Sequence, residues 1–235
     1  MKLLNILIIL LLYSSCNKNK LLSDAELLNV KVYTSIIEAL HEPDNVYILS
    51  LSNENLDEFP SEIFRFKKLQ RLDVSYNKLE QLPSEIEQLE NLQWLEISGN
   101  SLSDLPASTA NMKNLIVIIF EDNKLKNVPV NILQIKNLQL LKLGNNNISV
   151  IPSDIKNLKN LTALYLNNNN LISLPKEFKF LQNLMILDIS NNYINNFSSE
   201  VLSLPILHTI YSNGNKFPSN YIDSLERNNF GIEFK

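Results

Sequence analysis

From Val46 onward one apolar pattern recurs every 23 residues, for eight copies. Its clearest copy reads Leu92-Gln-Trp-Leu95-Glu-Ile97-Ser-Gly-Asn100-Ser-Leu102, and the same phase restarts at Val46, Leu69, Leu115, Leu138, Leu161, Leu184 and Leu207. A fixed period of this length is the signature of a solenoid, in which a unit buries its apolar edge only against its neighbours. The phase is unbroken from Val46 to about Phe217, so the 235 residues are read as one repeating domain. Hydrophobic residues make up 45% of the chain, enough for a continuous core.

Positions are numbered here from the first ladder residue of each copy. Positions 1, 4, 6 and 11 are aliphatic almost throughout. Positions 4 and 6 alternate with polar neighbours, the period of a short half-buried strand. Position 9 is asparagine in seven copies (Asn77, Asn100, Asn123, Asn146, Asn169, Asn192 and Asn215) and Glu54 in the first. An inward-facing amide there is expected to satisfy backbone groups left unpaired where the strand turns. Positions 14 and 15 read Leu-Pro or a close variant, from Phe59-Pro60 to Leu174-Pro175. Proline cannot donate to a sheet, so the strand has ended before it. Positions 18 and 21, such as Ile86 and Leu89, have the spacing of a short helical or 3₁₀ return arm.

This pattern resembles the leucine-rich repeat family, in its 23-residue bacterial type, across 46–217. The resemblance implies an α/β solenoid. It would be a horseshoe with parallel strands on the concave face and short helical or 3₁₀ segments on the convex face, capped at both ends. The last copies decay: Ser198 replaces the proline and Ser212 stands at position 6. Residues 23–45 are expected to form a helical cap, since Ser23-Asp-Ala-Glu26 and Ser35-Ile-Ile-Glu38 match capping boxes. Ile36, Ile37 and Leu40 would give its apolar face. Residues 218–235 are expected to close the other end with a helix over 219–227, burying Tyr221, Ile222 and Leu225, and a last strand over 231–235.

Met1-Lys2, the aliphatic run 3–12 and the small residues Ser14-Ser15 describe a secretory signal peptide over 1–15. The run is about half of the roughly 20 residues a membrane span needs. Cys16 is the chain's one cysteine, and it sits where a bacterial lipoprotein, which the chain resembles here, carries its lipidated first residue. Tyr13 departs from the aliphatic residue usual three places before that cysteine. Residues 16–22 would be a tether, anchoring the chain to a bacterial membrane in the cell envelope, on either its outer or its periplasmic side. A cleaved signal with an incidental cysteine is the other reading. Losing 1–15 removes Lys2, so 21 basic residues become 20 against 25 acidic, a net charge of −5. Acidity at a sequence pI of about 5.3 argues against a nucleic-acid partner.

On the strands, positions 3 and 5 point to the concave side. Position 3 reads Ile48, Arg71, Trp94, Val117, Leu140, Ala163, Ile186, Thr209, and position 5 reads Ser50, Asp73, Glu96, Ile119, Lys142, Tyr165, Asp188, Tyr211. With strands ~4.8 Å apart, eight span roughly 34 Å. Six of the eight position-3 residues are apolar where solvent is expected, and a contiguous exposed apolar stripe marks an interaction site. Trp94, Val117, Ile119, Leu140, Tyr165 and Ile186 are the candidate anchors, with Asp73, Glu96 and Asp188 as an acidic flank. They suit a protein or peptide with apolar anchors and a basic rim. The alternative is that the aliphatic column only packs laterally within the sheet.

Chemistry is not written into the chain. His41 and His208 are far apart, with no metal-ligand spacing around them. There is no glycine-rich phosphate loop or nucleophile elbow. Glu121 and Asp122 adjoin on an open face and read as solvated charges. The expectation is therefore a non-catalytic binding module with no cofactor and no metal. The alternative is a structural, periplasm-facing envelope protein without an external ligand.

Overall fold

The computed structural model describes residues 21–227 and 231–235; the leader, the tether up to residue 20 and Cys16 lie outside the described residues. The described chain winds into a succession of coils, each repeat laying one three-residue strand beside the last. Among the described residues ten strands form one parallel sheet in sequence order. The repeats supply β2 (Ile48–Ser50), β3 (Arg71–Asp73), β4 (Trp94–Glu96), β5 (Val117–Ile119), β6 (Leu140–Lys142), β7 (Ala163–Tyr165), β8 (Ile186–Asp188) and β9 (Thr209–Tyr211). Strand β1 (Val32–Tyr33) adds one edge and β10 (Glu233–Phe234) the other. From β2 to β9 each Cα partner lies 23 residues along the chain, as in Leu49↔Leu72 and Leu95↔Ile118, so like positions form continuous rows.

The core is the row structure made solid. The position-4 residues Leu49, Leu72, Leu95, Ile118, Leu141, Leu164, Leu187 and Ile210 are all at most 1% exposed. Burying such a side chain contributes roughly 1.5–3 kcal/mol, and positions 1, 6 and 11 repeat the gain. The coil closes through 3₁₀ segments: Ser61–Arg65, Ser84–Gln88, Ala107–Asn111, Ile132–Gln134, Ser153–Asn157 and Lys176–Phe180. In each, the position-15 proline carbonyl accepts the N–H three residues on, as in Ile86 N to Pro83 O at 3.2 Å. Where Ser198 replaces proline, the return arm becomes an α-helical turn, Ser199–Leu202. Leu202 N then donates to Ser198 O at 3.4 Å.

The position-9 asparagines bridge coils. Asn146 Nδ2 donates to Leu143 O (3.2 Å) and Gly144 O (3.1 Å) in its own coil and to Phe120 O (2.9 Å) in the coil before. Its Oδ1 accepts Leu125 N at 3.1 Å, again from the coil before. Asn77, Asn100, Asn123, Asn169, Asn192 and Asn215 accept the equivalent N–H of the preceding coil at 2.9–3.0 Å. A second asparagine row went unread in the sequence. At position 23, Asn91, Asn114, Asn137, Asn160 and Asn183 donate to the position-22 carbonyl of the previous coil at 2.7–3.0 Å.

The ends differ from expectation in detail. The N-terminal segment holds two short helices, α1 (Asp24–Leu27) and α2 (Ile36–Ala39), with strand β1 between them. Ser23 and Glu26 form a full capping box, and Ser35 accepts Glu38 N. Helix α2 buries Ala39, while Ile37, expected on the apolar face, is 75% exposed. One helical turn has room to face only one way, and here Ala39 takes the core side. At the other end α4 (Tyr221–Arg227), which follows the α3 turn Ser199–Leu202, buries Leu225 and half-buries Tyr221 and Ile222. Phe197, Phe217 and Tyr221 stack at 5.0–6.4 Å between ring centres, with Phe234 beside them.

Replacing Asn146 with leucine strands a buried N–H and three carbonyls, at about 1–3 kcal/mol for an unmet group. Urea unfolding is expected to show a loss of at least ~2 kcal/mol for Asn146→Leu and under ~1 kcal/mol for Asn160→Ala, whose carbonyl partner is at the surface. Equal effects would mean the inner row does not bridge the coils.

Candidate functional site: the inner wall of the sheet

Positions 3 and 5 lie side by side on the sheet's open face, because in-register pairing stacks Arg71, Trp94, Val117, Leu140, Ala163, Ile186 and Thr209 in one row. The second row runs Asp73, Glu96, Ile119, Lys142, Tyr165, Asp188 and Tyr211. The expected solvent-exposed stripe is corrected here. Val117 is 1% exposed, Leu140 2%, Ala163 0% and Ile119 5%. They form a small apolar cluster of their own, separate from the core, with Trp94, Ile116, Tyr165 and Ile186 packed against it. The cause is spacing: branched side chains ~4.8 Å apart on adjacent strands cover one another. Lateral packing thus takes the centre of the stripe, and Trp94, Tyr165 and Ile186 remain half-buried at its flanks.

Each flanking aromatic carries a cation. The Arg71 guanidinium lies 5.4 Å from the Trp94 ring centre, and Lys142 Nζ lies 4.9 Å from that of Tyr165. Lys235 Nζ sits 5.8 Å from Tyr211. Arg71 is also ion-paired to Asp24, so helix α1 reaches the edge of the wall. These contacts stiffen the aromatics in place, each cation–π pair contributing about 0.5–1 kcal/mol at such exposed sites.

The acidic flank is held as firmly. Asp73 accepts Ser50 Oγ at 2.9 Å and Ser75 N at 2.9 Å, and also Ser75 Oγ. Asp188 accepts Ser190 N at 3.0 Å and Ser190 Oγ at 2.7 Å. The shared signal is Asp-Xaa-Ser at positions 5 to 7, legible in Asp73-Val-Ser75 and Asp188-Ile-Ser190 but not used. Glu96 lies between Asp73 and Ile119 in the row. Burial, and then the Asp73 charge, push its carboxyl above the ordinary range, against the pull of the Trp94 indole. Burial, with Tyr211 and Asp188 next, likewise raises the Tyr165 phenol.

Tyr76 was missed. It stands at position 8, where Asn53, Tyr76, Gly99, Asp122, Asn145, Asn168, Asn191 and Gly214 all have φ between 53° and 69°. Asparagine, aspartate and glycine tolerate that left-handed backbone; a bulky side chain does so at a cost. Its ring lies over Gly99, where a Cβ would come within 2.4 Å of Tyr76 Cδ1. Tyr76 is 55% exposed beside the acidic flank, and burial and Asp122 raise its phenol. A tyrosine in a column of asparagine and glycine was the available signal.

His41 is exposed, and His208 Nδ1 meets Thr209 Oγ1 at 2.9 Å. Among the described residues no group of three or more His, Cys, Asp or Glu side chains is placed to hold a metal. An open depression of about 260 Å³ lies at the C-terminal cap, lined by residues including Phe217, Ile222 and Phe234.

One leucine-rich repeat family model matches residues 44–102, and another matches 137–158 and 160–181. The chain carries leucine-rich repeats. Among solved structures, a leucine-rich repeat protein of Leptospira interrogans, LIC12759, is 31% identical with a TM-score of 0.71, over 87% of this chain and 58% of that one. The internalin InlF of Listeria monocytogenes is 21% identical with a TM-score of 0.69, over 81% of this chain and 54% of that one, and supports the fold alone. The ectodomain of the Arabidopsis thaliana receptor kinase GASSHO1/SCHENGEN3, solved in complex with CASPARIAN STRIP INTEGRITY FACTOR 2, is 26% identical with a TM-score of 0.63, over 73% and 22%. The chain thus spans little more than half the length of the first two. No curated protein matches the sequence. Leucine-rich repeats are in general non-catalytic protein-interaction modules.

Glu96→Gln tests the electrostatics. A carboxyl whose native pKa is raised binds its proton more tightly folded than unfolded, so stability falls as pH rises from the ordinary carboxylate range through the raised value. The variant is expected to unfold at higher temperature than the parent at pH 7, with the gain vanishing in acid. A gain independent of pH would contradict a charge origin.

Proposed function

We propose that the chain is an exported, lipid-anchored binding module that captures a protein or peptide on the inner wall. The observation that carries this is the paired flank: Trp94 and Tyr165 stand half-buried at either end of a closed apolar strip, each fixed by a cation. Aromatics that are already immobile lose little entropy on binding, and such residues dominate interface energetics. Val117, Ile119 and Leu140 then act as the dry floor between the anchors and contribute shape more than area. Asp73, Glu96 and Asp188 supply the acidic side that a basic rim would meet. Tyr76 extends that side toward the turn.

Export and anchoring rest on the leader and on Cys16 in the sequence. The cysteine would carry the acyl chains, and the tether would hold the wall close to the membrane; one chain gives only marginal attachment, several give firm attachment. The mass of the native protein's N-terminal fragment decides this point: an acylated Cys16 is expected, and an intact Met1 would remove the anchor.

A photo-crosslinking side chain placed at Ile186 tests the inner wall, against one placed at Glu85 on the return arm. In intact cells Ile186 is expected to give a discrete protein adduct that Glu85 does not. Adding Trp94→Ala with Tyr165→Ala is expected to weaken that adduct at least about 30-fold, the scale of ~2 kcal/mol for hot-spot side chains. Equal adducts from both positions, or an adduct indifferent to both alanines in a folded chain, would refute the inner wall as the site.

A further inference from the structure

One edge of the coils carries a row of lysines at a single repeat position. At position 22, on the edge where each return arm enters its strand, stand Lys67, Lys113, Lys136 and Lys159, all exposed, with Glu90 as the acid of that row. The backbone beneath them is pinned, because each of these carbonyls accepts the position-23 asparagine of the next coil. Among the described residues the ion pairs are Lys31–Glu38, Arg71–Asp24 and Lys235–Glu233, so none of these four lysines is neutralised by one. The same edge ends in apolar surface: Phe180 at position 20 is 43% exposed and Ile206 at position 23 is 45% exposed.

The chain also enters the solenoid here. Leu22 N donates to Gln70 Oε1 at 2.9 Å, and Gln70 Nε2 donates back to Leu22 O at 3.0 Å. Gln70 is at position 2, three residues past the lysine position and on the same edge. Leu22, at the start of the described residues, is therefore bound to the solenoid on the side that carries the lysines.

We propose that this edge lies against an anionic lipid bilayer. A row of long, flexible point charges suits the headgroups of a fluid surface better than the bidentate recognition that arginine provides. Exposed Phe180 and Ile206 suit the boundary beneath those headgroups. An edge-on posture leaves the inner wall open to the side. The inference leans on the anchored reading only for holding the chain near the membrane; the lysine row attracts anionic lipid without it.

Two measurements on the full chain test this. The first uses Cys16→Ser, which cannot be acylated, sedimented with phosphatidylglycerol–phosphatidylcholine vesicles and with phosphatidylcholine alone. Binding is expected only to the anionic vesicles, falling as salt rises. Each lysine near such a surface is worth about fivefold in partition, so K113Q/K136Q/K159Q is expected to bind about a hundredfold less. Unchanged binding by that variant, or equal binding to both vesicles, overturns the proposal. The second is amine acetylation of the acylated chain on anionic vesicles, read by mass spectrometry. Lys113, Lys136 and Lys159 are expected to be protected relative to Lys78 and Lys124, at position 10 on the opposite edge. Equal labelling of the two edges overturns the proposal. A native chain without acyl groups, whose Cys16→Ser form still binds anionic vesicles through the lysines, would defeat the anchor and leave this edge intact.

Discussion

Each coil from the second repeat onward is held to the one before it by a side-chain amide. The position-9 asparagine gives two or more hydrogen bonds and takes one, and some of its partners are always one coil back. At 3–9% exposure for the six from Asn77 to Asn192, water cannot replace it. The aliphatic rows supply the bulk of the driving force, but any greasy rows could collapse. The amide converts collapse into one spacing, since its acceptors meet it only when neighbouring coils are in register.

The inner wall inherits that register. Identical positions meet across strands, so aliphatic residues in three successive copies close over each other, and a carboxylate in one copy lies against a carboxylate in the next. The first effect removes Val117, Leu140 and Ala163 from solvent. The second adds to burial in lifting the Glu96 carboxyl. What remains reachable is the variation between copies: Trp94, Tyr165, Ile186 and the turn residue Tyr76. The reachable surface of such a wall lies where the repeat is broken, because the unbroken part is consumed in holding itself together.

Period and phase made the solenoid, the strand positions and the 3₁₀ arms legible from the sequence, for they depend on residues such as Leu95 and Pro83 whose environment recurs. The inner wall was legible only by direction. Alternation places Leu140 on the open face, but whether solvent reaches it depends on the size of its lateral neighbours, a fact of packing and not of pattern. The extra strand at Val32–Tyr33 was hidden because two residues carry no periodicity. The outer asparagine row escaped because its donors lie one step before the ladder's first position, where Asn91 and Asn160 read as ordinary surface residues. Tyr76 could have been found by asking which residue did not fit its column.

Hydrogen exchange at five backbone amides addresses the central claim. Leu79, Leu102, Leu125, Ile148 and Leu171 lie in the turns after the strands, and their N–H groups are bonded to asparagine Oδ1 of the next coil. If those amides lock the coils together, they should exchange as slowly as the strand amides of Leu95 and Leu141. Exchange at the rate of open turn residues, with the strands still protected, would mean that the coils stack without the asparagine row.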